Sequence, residues 1–292
     1  MTDAEPNDAD DVASATRPRA RRAALIVALS LSGLLAAFYI GAVALLAYQQ
    51  REFIYLPSGR ALSPAEAGFD GAERFRIRTI DGETLTAWFR PPREGRGLLI
   101  YFHGAAGGLA ERARRFTLLT QRGEGLLAIS YRGYPGSTGE PSETGLLRDA
   151  DAALSEAVAR GYEPSRIILV GESLGAAVAI GLAARQQVAG LVLEGAFTSM
   201  RDEAARRFPW APVWLVLRDP WRSDQRIQTL RAPVLQIHGL NDEIVPMERG
   251  RRLFALAKEP KIWRVAALSG HAAIEEAAPQ VLDFVDSRTT VR

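Results

Sequence analysis

The sequence contains no cysteine, an absence that excludes disulfide bonds, thiolate metal sites and cysteine nucleophiles together. Histidine is scarce: His103, His238 and His271 are the only three. No cluster of other metal ligands accompanies them, so neither a metal nor a cofactor is expected. An excess of charge of one sign is missing too. Lys and Arg total 36 against 34 Asp and Glu, a formal net charge of +2. No basic stretch interleaved with aromatics marks a nucleic-acid surface, and no nucleic-acid partner is expected. Internal repeats and low-complexity segments are also absent from the body of the chain. What remains is ordinary for a packed protein, with 292 residues, 47% of them hydrophobic and 24% charged, enough for a sizeable core.

The N-terminal fifth is built differently. Residues 1–22 are polar, with five acidic residues followed by Arg17, Arg19, Arg21 and Arg22. So little apolar content predicts a disordered tail. From Ala23 to Gln50 no residue is charged, and this run exceeds the about 20 apolar residues that a helix needs to cross a bilayer core. The reading is a transmembrane signal-anchor helix over 23–48. Arginines precede it more densely than Arg51 and Arg60 follow it, which places the tail in the cytoplasm and the remainder outside. A cleaved signal peptide is the other reading, with Ala42-Val43-Ala44 as a small-residue cleavage site.

A linker over 49–70, containing Pro57, Gly59 and Pro64, leads to a catalytic domain over 71–292. Alternation over Glu73–Ile80 stops at Asp81-Gly82 and resumes over Thr84–Phe89, which reads as two antiparallel strands. Short continuous apolar runs then alternate with helix-length segments: 98–102, 126–130, 167–170, 191–193, 234–237 and 262–266. Such runs are strands of a parallel sheet buried on both faces. The fold class is therefore α/β, a mostly parallel doubly wound sheet with an antiparallel start. The stretch 198–230 breaks the rhythm. It holds no strand, carries three of the five tryptophans, and reads as a lid-like insertion.

Gly171-Glu172-Ser173-Leu174-Gly175 follows an apolar strand and opens a helix, the context of a nucleophile elbow. Ser173 is the expected nucleophile. Its base is expected at His271, in the loop after the last apolar strand. His103 and His238 each precede a glycine at a strand end and read as structural, with a ring nitrogen bonded to nearby loop backbone. Asp242, just past the strand 234–237, is the expected orienting acid, in the chain order Ser…Asp…His; Glu194 is the rival. The oxyanion hole would use the backbone N–H groups of Leu174 and of Ala105, in the loop after the strand 98–102. Trp210 and Trp214 are candidates for lining an acyl pocket under the insertion.

These residues carry a resemblance. His103-Gly104, Tyr131-Arg132-Gly133-Tyr134, the Ser173 elbow, His238-Gly239 with Asp242 and Val245-Pro246, and Gly270-His271 stand in an order similar to that of membrane-anchored α/β-hydrolase-domain serine hydrolases. The resemblance covers roughly residues 71–286. It implies the α/β-hydrolase fold, no cofactor, and hydrolysis of carboxylic esters or thioesters, often of small acyl or lipid substrates. It also implies an N-terminal membrane anchor. Ala105 departs from the pattern, where asparagine is frequent, and so does Ala273, where a polar residue is frequent. A serine peptidase would use the same triad, and a non-catalytic binding protein could share the fold.

Overall fold

The computed structural model describes residues 9–289, with side chains from Arg21 onward. The chain divides into two compact units, residues 1–50 and 51–292. The described residues of the first, 9–50, are helix. α1 runs Ala9–Ile54, and its portion from Arg21 has a window of mean hydropathy 2.3 with no residue buried. Length and composition thus suit a membrane crossing or a signal sequence. The tail expected to be disordered is helical from Ala9; residues 1–8 lie outside those described. Alanine and arginine are strong helix formers, and extending an existing helix needs no new nucleus.

The second unit opens with β1 (Leu56–Pro57), β2 (Glu73–Arg78), β3 (Thr84–Arg90), β4 (Leu98–Phe102) and β5 (Ala106–Gly107). α2 (Ala113–Leu119), β6 (Gly125–Ile129), α3 (Glu143–Ala159), β7 (Ile167–Glu172), α4 (Leu174–Ala183) and β8 (Gly190–Glu194) follow. The insertion forms three short helices, α5 (Met200–Arg207), α6 (Val213–Val216) and α7 (Ser223–Arg226). The chain closes with β9 (Val234–Gly239), α8 (Met247–Leu256), β10 (Lys261–Ala266) and α9 (Ala278–Thr289).

Eight strands form one sheet in the order β10-β9-β8-β7-β4-β6-β3-β2. β2 pairs antiparallel with β3, β3 antiparallel with β6, and the rest are parallel. Every strand expected from an apolar run is present within a residue or two of its expected ends. The two-residue period splits the core into layers. Leu98, Ile100 and Phe102 of β4 pack with Leu146 of α3, Val178 of α4 and Leu253 of α8. Leu99 and Tyr101 face Phe116 of α2 and Val281 and Phe284 of α9.

Residues 51–70 are not a free linker, and the expected domain start at Gly71 falls too late. Ile54, Tyr55 and Phe69 are buried, and β1 pairs in parallel with β5, Leu56 opposite Ala106. Arg51 adds an ion pair to the buried Asp219 at 2.9 Å. Two residues of backbone pairing leave no periodicity to read, which is why the sequence passes over them.

The insertion 198–230 divides by burial. Trp221 is wholly buried at a positive φ of 43°; its indole N–H donates to the Tyr55 hydroxyl at 3.2 Å and its backbone N–H to Glu143 at 2.7 Å. It belongs to the core rather than to a lid. Trp214 is 69% exposed. Trp221→Ala should therefore cost about 3–5 kcal/mol, and Trp214→Ala no more than about 0.5 kcal/mol. Thermal unfolding of the two variants checks this; equal losses would contradict the division.

Candidate active site

β7 passes into α4 through Ser173 alone. So tight a turn requires backbone to pass against backbone. A β carbon on Gly171 would run into the Gly175 carbonyl, and one on Gly175 would overlap the Phe102 carbonyl oxygen at the end of β4. Ser173 takes φ 52° and ψ −110°, a conformation costing a non-glycine residue about 1–3 kcal/mol. Two bonds hold it. Its N–H donates to the Glu194 carbonyl at 2.8 Å, and its carbonyl accepts from Ala176 N–H at 3.0 Å. Leu174 begins the helix, where first-turn N–H groups have no acceptor within the helix and the dipole favours negative charge.

The loop after β4 is fixed at three successive carbonyls. Tyr131 donates its hydroxyl to the His103 carbonyl at 3.0 Å. His103 Nδ1 bonds the Gly104 carbonyl at 2.7 Å, which assigns the proton to Nδ1. Tyr134 donates to the Ala105 carbonyl at 2.7 Å, and Leu56 N–H donates to the same oxygen at 2.9 Å. The Gly104 carbonyl and the Ala105 N–H share one peptide plane, so the His103 bond sets how that N–H is carried. The His103 ring lies against both tyrosines, centroids 4.2 and 4.9 Å away. Burial, aided by the Arg112 charge, pushes its pKa down to about 3, so it stays neutral. A β carbon on Gly104 would come within 2.9 Å of Glu172 Oε1, which puts this loop directly against the elbow.

Asp242 follows β9. One carboxylate oxygen accepts from Ile244 N–H at 3.0 Å and Val245 N–H at 2.9 Å. The other lies 2.8 Å from His271 Nδ1 and 3.3 Å from His238 Nε2. Burial opposes the ionised carboxylate, but the bonds from His238 and His271 outweigh it and hold Asp242 well below the usual carboxylate range. Desolvation likewise opposes the His271 imidazolium, yet the hydrogen bond and charge of Asp242 raise it above 6.5. The His271 ring lies over Gly195, where a β carbon would be 2.9 Å from Cε1. Gly195 directly follows the Glu194 carbonyl that holds Ser173, so the elbow and the His271 ring both meet the segment at the C-terminal end of β8.

Glu194, the rival acid, makes no hydrogen bond to the ring among the described residues. Its side chain pairs with Arg115 at 2.7 Å and accepts the backbone N–H groups of Ala273 and Ile274 at 2.5 and 2.6 Å. It thus pins the loop just past His271, and burial raises its pKa. Glu172, the variable residue of the elbow, bonds Arg112 through both oxygens at 2.8 and 3.1 Å and accepts from Tyr101 at 2.8 Å. Arg115 reaches Tyr101 and Glu172 at 3.2 Å each. This buried network leaves no local pattern to read, because its members are spread from β4 to β8. His238, read as structural, bonds the Val245 carbonyl at 2.7 Å as well as facing Asp242.

Trp210 and Trp214, the candidates for lining an acyl pocket, lie at the surface of the insertion. They are 49% and 69% exposed. α6 is only four residues long, and Val213 occupies its buried face, which leaves Trp214 and Leu215 turned outward.

Comparison with known proteins agrees with this architecture. Residues 98–285 match the alpha/beta hydrolase family, and the chain belongs to it. An uncharacterized protein of Mycobacterium tuberculosis is 38% identical over 261 residues, covering 88% of this chain and 90% of its own. Protein bem46 of Schizosaccharomyces pombe is 36% identical over 201 residues, covering 65% and 67%. Among solved structures, an esterase of Pyrococcus furiosus superposes with a TM-score of 0.65 at 21% identity over 81% of this chain and 100% of its own. That likeness is one of fold.

Proposed function

We propose that the chain is a serine hydrolase that cleaves carboxylic esters or thioesters of acyl or lipid-like substrates. The observation carrying this reading is the 2.8 Å Asp242–His271 pair, whose ring lies over Gly195, the residue after the carbonyl that holds Ser173 at φ 52°. In this reading Ser173 Oγ attacks the acyl carbonyl and His271 Nε2 takes its proton. Asp242 holds the Nδ1 proton and stabilises the imidazolium. The Leu174 and Ala105 N–H groups receive the developing oxyanion. His271 then protonates the leaving alcohol or thiol. Water, deprotonated by the same ring, releases the acyl group and regenerates Ser173. The esterase among the structural neighbours is in keeping with this chemistry.

Ser173→Ala should remove activity by on the order of a million-fold in kcat and abolish labelling by an organophosphorus probe. Retained labelling and turnover would refute the assignment. The base works only when neutral, and His271 is raised. The rate of the wild type should therefore rise with pH through a midpoint above 6.5.

Asp242→Asn should cost on the order of ten-thousand-fold in kcat, because the amide favours the wrong tautomer. Glu194→Gln should cost far less in rate, since Glu194 acts on the loop backbone. The reverse ranking would move the acid to Glu194.

For the apolar part of α1 we propose a signal-anchor over 23–48, with the N-terminus cytoplasmic and the hydrolase outside. Arg17, Arg19, Arg21 and Arg22 support this orientation. Protease added outside intact cells stripped of outer layers should digest residues 51–292. Protection of that unit would invert the topology.

A further inference from the structure

The outward face of the insertion is apolar where it meets the point at which the chain enters the hydrolase unit. Phe53, in the last turn of α1, packs edge-on against Phe208 with centroids 5.7 Å apart and is itself 56% exposed. Phe208 leads directly into Trp210, Trp214 and Leu215, the last 68% exposed. Isolated apolar residues on a surface are ordinary, but two exposed tryptophans and an exposed leucine within six residues are not. Arg207, exposed beside Phe208, adds positive charge. This face also adjoins the candidate active site. Arg206 of α5 donates to the Ile244 carbonyl at 3.3 Å, and Ile244, 62% exposed, donates its N–H to Asp242.

Three things could cover such a face: the insertion's own closure, a second copy, or lipid. The chain itself favours lipid. The uncharged apolar run that reads as a membrane span ends at Gln50, three residues before Phe53 in sequence. Three residues reach at most about 10–11 Å, so the chain cannot carry Phe53 far from the membrane surface. Tryptophan with its apolar body and polar N–H is suited to the headgroup layer, and arginine to anionic headgroups.

We infer that the face formed by Phe53, Phe208, Trp210, Trp214 and Leu215 seats in the headgroup layer of the membrane that α1 crosses. The candidate active site is thereby presented to the lipid surface, and its acyl substrates are drawn from the bilayer. The inference rests on reading α1 as a membrane span and the site as an acyl hydrolase.

The test uses the full-length chain in phosphatidylcholine vesicles containing a minority of phosphatidylglycerol. Tryptophan emission of the wild type is compared with that of Trp214→Phe, so that the difference reports Trp214. Shallow-brominated phospholipids should quench most of this difference emission, and aqueous acrylamide little of it. Emission quenched by acrylamide and untouched by brominated lipid would place the face in water and overturn the inference. Protection from both quenchers would mean closure over the site or pairing of two copies, and would overturn it equally. None of these readouts needs turnover. A chain that hydrolyses no ester would defeat the proposed function while leaving the quenching result to decide the surface.

Discussion

The first turn of α4 lies so close to the end of β4 that only glycine fits at position 175, against the Phe102 carbonyl. Much of the site follows from this contact. It forces the strand-to-helix turn to be made in one residue, and that residue is Ser173 at a positive φ. It also draws the helix N-terminus, with its unpaired N–H groups, against the loop that carries Ala105. A looser turn would carry Ser173 and the Leu174 N–H together away from the loop that bears Ala105. Strain of about 1–3 kcal/mol at one residue is offset by the fully buried helix behind it, in which every residue from Leu174 to Leu182 is enclosed.

Around this contact the charges are arranged in two tiers. Asp242 and His271 face the elbow, while Glu172, Arg112, Arg115, Tyr101 and Glu194 lie behind it. Buried ion pairs of this kind add little net stability, because desolvation opposes their attraction. Their effect is geometric. Glu194 takes hold of the backbone immediately after His271, and Glu172 is gripped by Arg112 immediately before Ser173. Ser173 and the loop past His271 are therefore positioned by side chains of this network.

The sequence made the strands legible because parallel strands buried on both faces are continuous apolar runs, and the sheet appears where those runs lie. Ser173 was legible from elbow context and stands at the turn from β7 into α4; Asp242 and His271 were placed by chain order and pair at 2.8 Å. Other features left no local mark. Tyr131 and Tyr134 stood in a quoted motif, but their hydroxyl bonds to the loop carbonyls depend on a crossing between β6 and β4 that no local pattern reveals. Counting apolar groups in 198–230 suggested a lid; it could not say that Trp221 turns inward and Trp214 outward, since that depends on helices of only four residues. The pairing of β1 with β5 was hidden for a similar reason, being made of backbone alone.

That short pairing changes what it means to detach this protein from its N-terminal helix. Leu56 is bonded to the Ala105 carbonyl, and the Ser58 hydroxyl accepts from Gly107 N–H at 3.1 Å. Processing at Ala42-Val43-Ala44 would leave both contacts intact and release a complete hydrolase unit. Removal of everything before Gly71, the boundary that hydropathy suggests, would strip both supports from the loop beside Ser173 and also take the buried Ile54, Tyr55 and Phe69 out of the core. The weakness of such a fragment would then be a fault of folding and loop support, easily mistaken for the loss of a membrane.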